Sequence, residues 1–190
     1  MEIKEIIVNE NWNKEVLILR HGETMSNGLG KYIGQTDEEL SLEGIEKAKK
    51  LTKTLAFVPD KVFVSPMKRC VQTAEIVFGD KGTDIEEFKE IDFGDFEGKN
   101  YQELSFNQDY QKWIDGGGKG AFPNGEATED FISRCMDGYK KVLSILDDNH
   151  IQRAALVVHG GTIMSILSTI YGGDYYDYQV KNCEGYKLFI

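Results

Sequence analysis

The stretch VLILRHGETMSN (residues 16–27) begins as an apolar, β-prone run and ends on two basic side chains, a glycine, a carboxylate and hydroxyls. A buried strand gains nothing from Arg20 and His21 side by side with Gly22 straight after them. A site that grips an anion and attacks it uses all three. The apolar part has no polar alternation, which is the pattern of a strand covered on both faces of a largely parallel sheet. KVFVS (61–65) and AALVVH (154–159) read the same way.

Between these runs lie helical patterns. From Leu42 to Phe57, the residues Ile45, Ala48, Leu51 and Leu55 recur at helical spacing, with Ser41 as N-cap. Met67–Phe78 follows the second strand, and Thr162–Tyr171 follows the third. Ala127–Leu146 carries Phe131, Cys135, Tyr139, Val142 and Leu146 on one stripe. GYKLFI (185–190) reads as a last strand at a sheet edge. Strands alternating with helices predict a three-layer α/β/α sandwich around a mostly parallel central sheet. Active sites of such folds lie beyond the carboxyl ends of the strands, where Arg20, His21, Ser65 and His159 fall.

The 190 residues contain no internal repeat or low-complexity tract and only three prolines, so a single domain over 1–190 is expected, with 1–13 as an extension that forms an edge strand or a tail. The glycine-rich DGGGKGAFPNG (115–125) is the most obvious loop and reads as a mobile segment. A net charge of −10 argues against nucleic acid or an anionic membrane as partner. It leaves a small anionic substrate open, because local arginines dominate at contact distance. Cys70, Cys135 and Cys183 form no CxxC pair and read as reduced, buried thiols. The amino-terminal residues show no signal-peptide pattern and no apolar run reaches membrane length, so a cytoplasmic location is expected.

Chemistry concentrates in four segments: RHGET (20–24), SPMKRCVQTAE (65–75), EIDFGDFEG (90–98) and VVHGG (157–161). Of the three histidines, His150 sits in a polar turn and reads as solvated. His21 and His159 each stand between a buried strand and a glycine. One histidine after a strand is ordinarily structural; two at equivalent strand ends, one of them beside Arg20, suggest a shared site. Arg69, near the start of the next helix, lies at the same end of the sheet. Glu90 precedes a glycine-punctuated turn, and its spacing alone leaves surface and site readings open. Gly160 and Gly161 read either as a tight strand-to-helix turn or as a close approach of backbone amides to an anion.

These segments, in this order, resemble the histidine phosphatase superfamily with its phosphoglycerate mutase-like fold, from about Val16 onward. The resemblance implies an α/β sandwich, a phosphohistidine intermediate, and no metal or other cofactor. It implies that His21 is the nucleophile, that Arg20, Arg69 and His159 bind the phosphoryl oxygens with help from Asn27, and that Glu90 is the proton donor. Gly160 would lend its backbone amide to the phosphate. The arginines suit the work because their planar forks pair with phosphate oxygens. Their charge should also favour a neutral His21.

The chain is shorter than the mutases, and FKEIDFGDFEG resembles the phosphatase form of the acid segment, so hydrolysis of a small-molecule phosphate ester is expected. Lys31-Tyr32-Ile33-Gly34 stands where many members carry Arg-x-Gln-Gly, and the Tyr-x-Gly-x-x-Asp spacing resembles α-ribazole phosphatases. Met164 replaces an arginine found in many relatives. Mutase-type phosphoryl transfer, a protein phosphatase, and a non-catalytic phosphate-binding regulator are the alternatives. The tyrosines of YGGDYYDY (171–178) leave three readings open: a homodimer contact, a contact with a substrate lid, or plain surface.

Overall fold

The computed structural model describes residues 2–7, 12–118 and 120–190; residues 1 and 8–11 of the expected extension, and residue 119 of the glycine loop, lie outside them. Among the described residues, six strands form one sheet: β1 (Ile3–Ile7), β2 (Glu15–Arg20), β3 (Lys61–Val64), β4 (Thr83–Asp84), β5 (Arg153–Val158) and β6 (Gly185–Phe189). The helices are α1 (Met25–Gly28), α2 (Leu42–Thr54), α3 (Lys68–Phe78), α4 (Gln108–Asp115), α5 (Thr128–Asp148) and α6 (Gly160–Tyr171). The strand order is β1-β6-β2-β5-β3-β4, with every pairing parallel except β2 with β6.

The unbroken apolar strands have the cause expected of them. Successive side chains of β2 point to opposite faces, and both faces are covered. Val16 and Ile18 join a core with Phe131 and Val142 of α5 and Ile166 of α6. Leu17 and Leu19 join the opposite core with Ala48 of α2 and Ala74 of α3. This is the three-layer sandwich expected from the sequence. The whole α5 stripe, Phe131 through Leu146, is buried as the spacing predicts. Ser41 caps α2 by accepting from the Gly44 amide at 3.0 Å.

One expectation is corrected. GYKLFI does not form an edge. Its strand β6 lies between β1 and β2, with Tyr186 and Leu188 buried. The edge belongs to β1, which pairs residue for residue from Ile3 with Gly185 to Ile7 with Phe189. The edge-strand reading of the extension thus holds for residues 3–7. Gly185 has to be glycine, since a Cβ there would come 2.0 Å from the Ile18 carbonyl oxygen.

Candidate active site

Three neighbouring strands end side by side. In the sheet order β2-β5-β3, Arg20 pairs with Val158, and Val64 pairs with Val157. The next residue of each strand is therefore His21, His159 or Ser65. His159 sits in the middle: its ring lies edge-on to His21 at 5.1 Å between centroids, and its Nε2 is 2.8 Å from the Ser65 hydroxyl. His21, His159, Arg69 and Glu90 are all buried.

His21 Nδ1 lies 2.6 Å from the Gly22 carbonyl oxygen. A carbonyl only accepts, so Nδ1 carries the proton and Nε2 keeps a free lone pair. Burial first, and then the charges of Arg69 and Arg20, hold His21 well below the usual histidine pKa. The arginine charges expected to keep it neutral are therefore second to desolvation. The turn around His21 is tied on every side. The Gly22 amide donates to Thr73 Oγ1 at 2.8 Å, and Thr73 Oγ1 donates to the Arg69 carbonyl at 2.6 Å. Thr24 and Asn27 form a reciprocal capping box on α1.

The two arginines differ. Arg20 spends one Nη1 donor on the Val180 carbonyl, while its Nε is buried and bonds to no group among the described residues. Arg69 is almost wholly held: Nη1 donates to Thr36 O and Nη2 to Gly34 O, both at 2.9 Å, and Nε to His159 Nδ1 at 3.3 Å. Two of its five N–H groups remain for a substrate. Because Nδ1 of His159 accepts from Arg69, its Nε2 is the donor, and Ser65 receives it. The His159 pKa is lowered by burial, then by Arg69, His21 and Arg20.

Glu90 behaves oppositely. Burial pushes its carboxyl pKa up, against the Ile91 amide, Arg69, Arg20 and the Gly161 amide. One carboxyl oxygen accepts from Ile91 N–H at 3.0 Å. The two glycines after His159 also differ. A Cβ on Gly161 would come 2.5 Å from Glu90 Oε1 and 2.9 Å from Phe131, whereas one on Gly160 would rest on the Arg20 guanidinium at an ordinary 3.5 Å. Both residues open α6, whose first amides have no helical partner.

The structure therefore brings together Arg20, His21, Asn27, Arg69, Glu90, His159 and Gly160. His150 is exposed in the turn after α5, at φ 54°. Cys70 Sγ lies 3.6 Å from His159 Nε2, but burial pushes the thiol up to about 12, so it stays protonated. All three cysteines are free and buried. Among the described residues, no three His, Cys, Asp or Glu side chains are grouped to hold a metal ion, and no helix is long and apolar enough to cross a membrane.

Residues 32–37 take on structural work. Gly34 O and Thr36 O hold Arg69, Gln35 Nε2 donates to Glu90 O at 2.6 Å, and Asp37 Oδ1 accepts from the first amide of α3 at 2.8 Å. Met67, the N-cap of that helix, offers no side-chain bond. Asn182 escaped the sequence reading. Its Nδ2 donates to the His21 carbonyl at 3.1 Å and to Asn27 Oδ1 at 3.3 Å. No local spacing marks it, because it reaches the site only through the insertion of β6.

The family profile of the histidine phosphatase superfamily (branch 1) matches residues 16–188. The chain belongs to the histidine phosphatase superfamily. The uncharacterized phosphatase PhoE of Bacillus subtilis is 32% identical over 84% of this chain and 78% of its own. The crystal structure of the alpha-ribazole phosphatase from Shigella flexneri superposes with a TM-score of 0.76 at 27% identity, covering 88% and 86% of the two chains. Phosphoglycerate mutase from Thermus thermophilus superposes with a TM-score of 0.68 at 29% identity, covering 88% of each. The fold is thus the phosphoglycerate mutase-like α/β fold, and the protein is a phosphatase of the histidine phosphatase superfamily.

Proposed function

We propose that this histidine phosphatase hydrolyses a small-molecule phosphate monoester through a phosphohistidine on His21, without a metal ion. One observation carries the reading: the 2.6 Å bond from His21 Nδ1 to Gly22 O, which fixes the tautomer and leaves Nε2 as a neutral nucleophile.

In the first step Nε2 forms a bond to phosphorus and the ester P–O bond breaks. Glu90, whose carboxyl pKa burial raises, gives its proton to the leaving oxygen. Charge on the equatorial oxygens is met by Arg20, by the remaining N–H groups of Arg69, by Asn27 and by the α6 amides at Gly160. His159 joins them by turning its Nε2–H from Ser65 to a phosphoryl oxygen. In the second step water attacks phosphorus, Glu90 takes the proton from the water, and the P–N bond breaks to release phosphate and neutral His21.

For the substrate we favour α-ribazole 5′-phosphate. Phe93 and Trp113 gather around Tyr32, whose ring centroid lies 5.3 Å from that of Phe93 and 6.2 Å from that of Trp113, on segments that also hold Gly34, Gly94 and the glycine loop. This cluster suits a neutral leaving alcohol that carries an aromatic base better than one that carries a carboxylate, and the Shigella relative is named an alpha-ribazole phosphatase. The Tyr-x-Gly-x-x-Asp spacing is weaker support now that Asp37 is seen to cap α3.

The test is phosphate release from p-nitrophenyl phosphate in excess EDTA by wild type and His21→Ala. Turnover that survives chelation and is lost in the variant supports the reading; turnover undiminished in the variant removes His21 as nucleophile. A kcat/KM for α-ribazole 5′-phosphate below that for 3-phosphoglycerate would remove the favoured substrate.

A further inference from the structure

Glu90 lies in a segment with almost no regular structure. Between β4 and α4 the backbone makes two short 3-10 turns, Glu86–Phe88 and Gly94–Phe96, an isolated bridge from Asn100 to Lys31 and a run of turns over 101–106. A carboxyl that gives a proton to a leaving oxygen must be held to within a fraction of an ångström. The local chain supplies one bond, from the Ile91 amide to the carboxyl at 3.0 Å, and leaves the backbone around it unfixed. The fixation comes from outside it.

Gln35 Nε2 supplies part of it, donating to Glu90 O at 2.6 Å, and the rest comes from Arg134 on α5. All five of its N–H groups are used. Nη1 donates to Glu87 O at 2.9 Å and to Lys89 O at 2.6 Å, and Nη2 donates to Glu90 O at 3.1 Å. Nε and Nη2 form a two-pronged pair with the Glu126 carboxylate at 2.6 and 2.8 Å. Glu126 continues the clamp, accepting from the Asp92 amide at 3.3 Å and donating its own amide to Asp92 O at 2.9 Å. The guanidinium also lies over the Phe131 ring at 4.8 Å, and Phe131 is the residue that crowds Gly161 beside Glu90. Residues 87, 89, 90 and 92 are thus gripped on both sides of the acid.

We infer that the Arg134–Glu126 pair is a positioning device for Glu90, acting on the protonation of the leaving group rather than on phosphate binding. Arg134 itself bonds only to backbone carbonyls and Glu126, with no donor left for a substrate. A two-pronged pair accounts for the choice of arginine, since a lysine offers no fork and cannot meet three carbonyls and a carboxylate together. The inference rests on the assignment of Glu90 as the acid, and the experiment separates the two.

A p-nitrophenolate leaves readily without a proton; an alkoxide does not. The measurement is kcat/KM, which reports the chemistry up to formation of phosphohistidine, for p-nitrophenyl phosphate and for glycerol 2-phosphate. The full chain is compared with Glu90→Gln, Arg134→Lys and Glu126→Gln. Glu90→Gln is expected to lose about 100-fold or more on the alkyl ester and less than about tenfold on the aryl ester. Arg134→Lys and Glu126→Gln are expected to lose about tenfold on the alkyl ester, with the aryl ester within about threefold. A staple that only stabilises the fold would lower both substrates alike. If that happens in both brace variants while Glu90→Gln keeps its split, the positioning role is overturned. If Glu90→Gln shows no split, the acid assignment fails and the inference falls with it. Should Arg134→Lys not fold, Glu126→Gln carries the same comparison.

Discussion

At the scale of single residues the site is a set of opposed proton affinities. His21 must be neutral and Glu90 protonated at the same pH. Burial supplies both, because it disfavours whichever form is charged. It lowers the histidine pKa and raises the carboxyl pKa. The kcat/KM for an alkyl ester should therefore be sustained well below pH 6.5 and fall on the alkaline side as Glu90 ionises; a rate still climbing above about pH 9 contradicts the scheme. Glu90 also bears on stability. Above the unfolded carboxyl pKa near 4.3, the unfolded chain releases a proton that folded Glu90 retains. Stability contributed by this group falls as pH rises, until the folded group ionises too. Glu90→Gln should thus melt higher than wild type at pH 8, with the gap shrinking towards pH 4, in a pair of thermal scans.

At the scale of elements, caps and close approaches decide where the functional side chains sit. Asp37 closes the amino end of α3, the helix that carries Arg69. Asp37→Ala is expected to cost about 1 kcal/mol of stability in urea unfolding with KM unchanged; a raised KM at unchanged stability would make it a substrate contact instead. Most of this scale was legible in the sequence. Unbroken apolar runs gave β2, β3 and β5, the Phe131–Leu146 stripe gave α5, and strand ends gave His21 and His159. What stayed hidden was the fixation. Arg134 and Asn182 act on residues distant in sequence, and their polar side chains look there like ordinary surface groups; Thr73 lies inside the 65–75 segment but nothing local shows that it reaches the Gly22 amide. Tyr176, in the segment whose role was open, donates to Gly118 O at 3.3 Å, which ties that segment to the glycine loop.

At the scale of the whole molecule the placement of β6 matters most. An apolar run with a charge, GYKLF, reads equally well as an edge or an inner strand, and only the pairing of β1 on its outer side settles it. Leu188→Ala, in a fully buried inner strand, is expected to cost about 2–5 kcal/mol. Ile7→Ala, on the exposed edge strand, should stay within about 0.5 kcal/mol. Denaturation midpoints of the two variants check this. The same insertion brings the His21 turn its last supports, since Cys183 N–H donates to Arg20 O at 3.1 Å and Asn182 to His21 O.

During synthesis on the ribosome, that architecture imposes an order. The strand bearing Arg20 is made early, yet both its sheet neighbours, β5 and β6, come from residues 153–158 and 185–189. At ordinary translation speeds the VLIL segment waits on the order of ten seconds without a hydrogen-bonded partner. It is an uncovered, sticky edge for all that time, so chaperone capture of the nascent chain should centre on residues 16–19. The supports that Asn182 and Cys183 give the His21 turn can form only once the final segment of the chain has been made.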